Sequence, residues 1–121
     1  MFKEVMRVAM SNTEGSLGVV IMGMDGILVE RVWQDDVEAA RLEAAVAEYT
    51  TLMRGARRMN ADSEFGGLLE MTVSSEKAIF VLHSVGEDYF LAMILQPDGN
   101  FGRGRYELRR AELLLSDELT I

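Results

Sequence analysis

Arg54, Arg57 and Arg58 fall close together in the chain. Guanidinium groups so grouped could neutralise the charge that builds in phosphoryl transfer, as an inserted finger does, or hold an anion. At the end of a helix the same cations balance the macrodipole and stay solvated, which accounts for them without a ligand. His83 stands next to Ser84, a base beside a hydroxyl. No third group to orient the imidazole can be identified, so a structural histidine with satisfied nitrogens accounts for it. Asp35, Asp36 and Glu38 gather carboxylates where a helix should begin, and capping explains them without acid–base chemistry. Gly102-Arg103-Gly104 suggests a phosphate-cradling turn. It lacks the Lys-Ser/Thr pair of a P-loop and does not follow the first strand, so it reads as a turn leading into a helix.

The rest of the composition narrows the classes further. There is no cysteine, hence no disulfide frame, thiol nucleophile or thiolate metal site, and one histidine excludes a site needing two imidazoles from one chain. No nucleophile–base pair or ligand set can be assembled, so the chain is expected to be no enzyme and to need no cofactor or metal. A net charge of −8 argues against nucleic acid and against an anionic membrane surface as partners. The longest apolar run, Leu17 to Met24, is too short to cross a bilayer, and the charged N-terminus MFKEVMRVAM has no apolar signal core behind it. These features predict a cytoplasmic protein. At 121 residues, 49% hydrophobic and 26% charged, the chain is expected to fold as one domain over 1–121.

What must position any surface is the stretch Asp36 to Met59. Leu42, Ala45, Val46, Tyr49, Leu52, Met53 and Ala56 recur at spacings of three and four, an apolar stripe on a helix. Gln34-Asp35-Asp36 is expected to cap it. Ala39, Ala40, Ala44, Ala45 and Ala47 are small enough to let a second backbone come close, while Gly55 disfavours the helix by about 1 kcal/mol relative to alanine. One side of this helix should lie on a sheet and another on the same helix of a second copy. Glu38, Arg41, Glu43 and Glu48 flank the stripe and are either a partner surface or a solvated face. The remaining elements follow from pattern. Phe2 to Met10 reads as a short helix, with Phe2, Val5, Met6 and Ala9 on one face. Leu17 to Met24 and Ile27 to Trp33 form a hairpin about Asp25-Gly26. Leu68 to Val73, Ala78 to His83 and Tyr89 to Leu95 are strands. Pro97-Asp98-Gly99-Asn100 is a turn, and Tyr106 to Leu115 a final helix. Most of the nine methionines, such as Met22, Met24, Met71 and Met93, sit in strand patterns and belong to the core, whereas Trp33 could anchor an interface or close the core edge.

The order and certain residues resemble the roadblock/dynein light chain family, and within it the bacterial MglB-type regulators. The resemblance is carried by the hairpin GVVIMGMDGILVE, by the Ala-rich helix directly after it, and by a terminal helix opening as Gly104-Arg105-Tyr106-Glu107-Leu108-Arg109-Arg110-Ala111. The element order read from the residues and the resemblance both imply an α+β fold, α-β-β-α-β-β-β-α. A five-stranded antiparallel sheet would carry the long second helix on one face and the first and third helices on the other. The resemblance also implies a homodimer whose long helices pair antiparallel and whose following strands meet across the two-fold axis. The expected interface is Leu42, Ala45, Val46, Tyr49, Thr50 and Met53 with Leu69 and Met71. The implied role is to bind a small Ras-like GTPase from the paired-helix face, where Glu38, Arg41, Glu43 and Glu48 become the candidate contacts, and to reposition the GTPase's own catalytic residues. Two other readings stand beside this one. A dimeric scaffold would assemble proteins without affecting hydrolysis, and a small-ligand sensor would enclose a pocket between helices and sheet.

Overall fold

The computed structural model describes residues 1–119. The elements are α1 (Phe2–Ser11), β1 (Ser16–Gly23), β2 (Leu28–Trp33), α2 (Ala39–Ala61), β3 (Glu70–Ser74), β4 (Ile79–Val85), β5 (Tyr89–Leu95) and α3 (Phe101–Leu119). The strands make one sheet in the order β2-β1-β5-β4-β3, with every neighbouring pair antiparallel. The three strands that are apolar on both faces take the centre, because only central strands covered on both sides keep every side chain from water. The two faces carry separate cores. Val19, Ile21, Val81, Leu91, Met93 and Leu95 pack under α1 and α3. Val20, Met22, Phe80, Leu82, Phe90, Ala92 and Ile94 pack under α2. The expected layering is therefore present.

Local chemistry sets the boundaries. The β1–β2 loop turns at Asp25-Gly26, where Gly26 has φ 86° and the Asp25 carboxylate accepts the Ile27 N–H at 3.0 Å. Gly15, at φ 85°, brings the start of β1 against the β5–α3 turn so closely that a Cβ there would stand 2.5 Å from the Gly99 Cα. The last helix begins five residues earlier than its apolar pattern suggests (Phe101 instead of Tyr106). Asn100 supplies the reason, since its side-chain oxygen accepts the Arg103 N–H at 3.1 Å and caps the first turn. Gly102-Arg103-Gly104 is thus helix and not a phosphate-cradling loop. At Gly104 the helix comes close to the sheet, and a Cβ there would lie 3.0 Å from Met93 Sδ, a tight approach. At the other long helix the expected cap fails. Asp36 turns the chain at φ 64°, and α2 starts three residues later with Glu38 at its N-cap and no side-chain cap bond.

The α1–α3 contact is pinned by a buried charge. Glu107 is 1% exposed. It accepts two bonds from Arg103 (2.9 Å from Nε, 2.7 Å from Nη2) and one from Asn12 at 3.5 Å. Such a carboxylate is tolerable only because its oxygens are matched by donors.

Candidate functional site

The stripe on α2 divides in two. Val46 and Met53 are 0% exposed and lie on the sheet of their own chain, and Thr50, 3% exposed, donates to the Ala47 carbonyl at 2.6 Å beside the Gly26 turn. They have no surface left to offer a second copy, so their assignment to an intersubunit seam is corrected. The cause is geometric: a helix lying on a twisted sheet buries its central row completely. Leu42, Ala45 and Tyr49 are half-buried beside that row. Tyr49 meets Phe80 of β4 edge to face, with ring centroids 4.9 Å apart. That contact places one flank of α2 above β4 and β3. Helical spacing puts Ala45, Leu52, Ala56 and Met59 along the same flank. Leu52 is 50% exposed and Met59 80%.

The opposite flank reaches β2, and there another expectation changes. Glu43 does not face outward. Its Oε2 accepts the Trp33 indole N–H at 2.7 Å and pairs with Arg31 at 3.2 Å, with the side chain only 17% exposed. Trp33 lies against Gly18, where a Cβ would stand 2.2 Å from the indole ring. Trp33 therefore closes the core edge beneath α2. Of the four flanking polar residues, Glu38 and Arg41 form an exposed i,i+3 pair at 3.1 Å, and Glu48 is exposed.

Below the Leu52–Met59 flank runs β3, an edge of the sheet. Half-buried Leu68 and Met71 border it on the α2 side. Leu69, 68% exposed, directly precedes the strand, and Phe65, 86% exposed, lies in the loop before it. Phe65 and Met59 were not apparent from pattern. The signal available was an aromatic residue stranded in the polar, glycine-broken segment after the helix. The Leu69 carbonyl accepts the Ser84 N–H at 2.9 Å, and the Ser75 N–H donates to the Ala78 carbonyl at 2.9 Å. Odd-numbered residues of β3 thus aim their main-chain groups at β4. Alternation leaves the N–H and C=O of Glu70, Thr72 and Ser74 pointing away from the sheet. An open edge bordered by apolar side chains is a template for pairing with another strand.

The residues first considered for chemistry are engaged elsewhere. Arg54 donates to the Met24 carbonyl, and Arg57 to the Glu87 carbonyl at 2.6 Å. They tie α2 to the β1–β2 and β4–β5 loops and leave only Arg58 in the last helical turn. His83 Nε2 lies 2.6 Å from Glu112 and Nδ1 lies 3.5 Å from Glu70, while the Ser84 hydroxyl donates to the Leu68 carbonyl at 3.2 Å. The two adjacent residues therefore do not share a proton. Among the described residues no group of three or more His, Asp or Glu side chains could hold a metal ion. No helix among them is long and apolar enough to cross a membrane.

Comparison with known proteins agrees with this architecture. Residues 3–95 match the model of the Roadblock/LC7 domain. MglC from Myxococcus xanthus is 32% identical over 97% of this chain and 98% of its own, with a TM-score of 0.73. A Roadblock/LC7 domain from Streptomyces avermitilis superposes at a TM-score of 0.82 with 13% identity, covering 98% of this chain and 97% of that one. MglB from Myxococcus xanthus does so at 0.76 with 15% identity, covering 98% and 94%. The last two likenesses are of fold. No match was found among curated proteins.

Proposed function

The chain belongs to the Roadblock/LC7 family, a family of regulators and adaptors, and from that premise we propose that it is a non-catalytic homodimer that binds a small Ras-like GTPase and alters its nucleotide state. The observation that carries the dimer is the open edge of β3 running beside the apolar flank of α2. The outward main-chain groups of Glu70, Thr72 and Ser74 are symmetric about Thr72. Two antiparallel copies of β3 centred there place each Glu70 opposite the partner's Ser74 and satisfy all three residues at once. The sheet becomes continuous, and Leu52, Ala56 and Met59 of the two copies meet on the α2 side. Ala45 and Tyr49 sit at the start of the same seam.

Pairing so arranged brings two α2 helices side by side and presents their outer faces as one surface. Glu38, Arg41 and Glu48 lie on it, whereas Glu43 does not contribute. A surface that fits the GTP-bound switch segments better than the GDP-bound ones shifts the GTPase between states by that difference in affinity, with no residue of its own entering the chemistry. The test is single-turnover GTP hydrolysis by Ras-like GTPases from the same source, with and without this protein. Retention of the GTP form with a changed hydrolysis rate is the expected result. Failure to retain any such GTPase in either nucleotide state removes the reading.

The second reading, a scaffold without effect on hydrolysis, has an observation of its own. The chain shares 32% of its residues with MglC and 15% with MglB, so it need not do what MglB does. Retention of a GTPase at an unchanged hydrolysis rate selects it.

A further inference from the structure

We infer that the dimer is locked on the face opposite α2 by an ion pair between subunits, in which Arg109 receives the carboxylate of the partner's Glu76. The inference rests on the strand pairing proposed above and adds to it a contact that the pairing alone does not require. On the α3 side of the sheet, a cleft opens between the β3 edge and α3, bounded by Leu69, Glu70, His83, Arg105, Tyr106 and Arg109. Its charges are unevenly matched. Arg105 is taken up by Glu70, and the other Glu70 oxygen lies 3.5 Å from His83 Nδ1. Arg109 is exposed and has no partner among the described residues. It is a cation at the lip of the cleft, next to the strand edge where a second copy would dock.

The matching anion is carried by the same hairpin that forms that edge. The β3–β4 turn closes through the Ser75 N–H on the Ala78 carbonyl and holds Glu76 at its exposed tip, also without a partner among the described residues. Counting outward from the axis at Thr72, the partner's Ser74 falls opposite Glu70 and its Ser75 opposite Leu69. The partner's turn therefore continues past Glu70 across the mouth of the cleft. Residues opposite one another in an antiparallel pair share a face of the sheet, and Glu70 faces α3 through its pair with Arg105. The partner's Ser74 therefore shares that face, and the exposed turn that follows it carries Glu76 to the mouth of the cleft, where Arg109 stands. By symmetry each dimer holds this contact twice, one at either end of the paired strands. Each chain then supplies a cation from α3 and an anion from a hairpin turn, a complementarity that also selects the antiparallel register over a shifted one.

Charge reversal tests the pair. Dimer dissociation constants are measured by sedimentation equilibrium for Arg109→Glu, Glu76→Arg, the double variant, and Arg7→Glu as an equal charge change on the exposed face of α1. Each reversal at the contact should weaken the dimer about tenfold, given the modest worth of one exposed pair and its twofold occurrence. The double variant should recover most of the loss, and Arg7→Glu should leave the constant unchanged. Arg109→Ala, which removes the charge without repulsion, should weaken the dimer about threefold and so guards against misfolding of the reversal variants. If Arg109→Glu dimerises like the wild type, or if the double variant is no tighter than the singles, the ion pair is wrong while the strand pairing stands. If the wild type is monomeric at every concentration, the strand pairing itself is wrong.

Discussion

Thr72→Pro separates the fold of one chain from the pairing of two. The Thr72 N–H points out of the sheet, so a proline there removes no bond of the β3–β4 ladder, and edge strands accept proline on their solvent side. In the paired dimer the same N–H faces the partner's Thr72 across the axis, and symmetry makes the loss double. Two hydrogen bonds at about 1 kcal/mol each give roughly 2 kcal/mol. That corresponds to about a thirtyfold rise in Kd, before any crowding by the ring. Met71→Pro is the control, because its main-chain groups face β4 and its loss should lower the unfolding midpoint instead. Light scattering across a dilution series gives Kd, and urea unfolding at a concentration where both proteins are monomeric gives stability. A Thr72→Pro protein that unfolds near the wild-type midpoint but dissociates at higher concentration is the expected outcome. Unchanged dissociation would refute the assignment of β3 as the pairing edge.

Three other outcomes follow from the packing. Val46→Glu places a carboxylate in a position with 0% exposure and should destabilise the single chain by more than about 3 kcal/mol, read as collapse of the thermal transition and not as a soluble monomer. Gly55→Ala meets nothing nearer than the Arg58 guanidinium at 4.0 Å, so it should raise stability by up to about 1 kcal/mol in urea unfolding. Arg41→Glu combined with Glu48→Lys, both on the exposed face of α2, should weaken GTPase retention in a pull-down while the dimer mass stays the same. An unaltered pull-down would shift the partner surface away from α2.

Much of the architecture was legible because it depends on alternation and spacing. The hairpin at Asp25-Gly26, the three central strands and the two-sided layering all follow from where apolar residues fall. Boundaries that depend on a single side chain were not legible. The early start of α3 hangs on Asn100 as a cap and on Gly104 as the place where helix touches sheet, and glycine in a sequence signals a break as readily as a close approach. The late start of α2 hangs on Asp36 adopting a positive φ, which an acidic cluster beside a helix conceals. The surface was legible in part. An apolar stripe of more than two rows on α2 pointed to a second contact beside the sheet, but spacing cannot tell which row meets its own sheet. That is decided by the twist of strands far away in sequence, and it took Val46, Thr50 and Met53 out of the seam. Glu43 was misplaced for a related reason. Its donor, Trp33, lies ten residues back, and only the bare face of Gly18 lets the indole lie flat enough to present its N–H.

That last arrangement gives the chain a built-in reporter. Trp33 is the one tryptophan in the protein, so all indole emission originates where β2 meets α2. Its N–H is held by a carboxylate of α2 at 2.7 Å and its ring by the backbone of β1. Lifting or sliding of α2 exchanges that carboxylate for water and changes the polarity sensed by the excited ring. Emission wavelength therefore follows the seating of the long helix without any label. A GTPase that tilts α2 as it docks would shift the spectrum, and one that binds a rigid surface would leave it still.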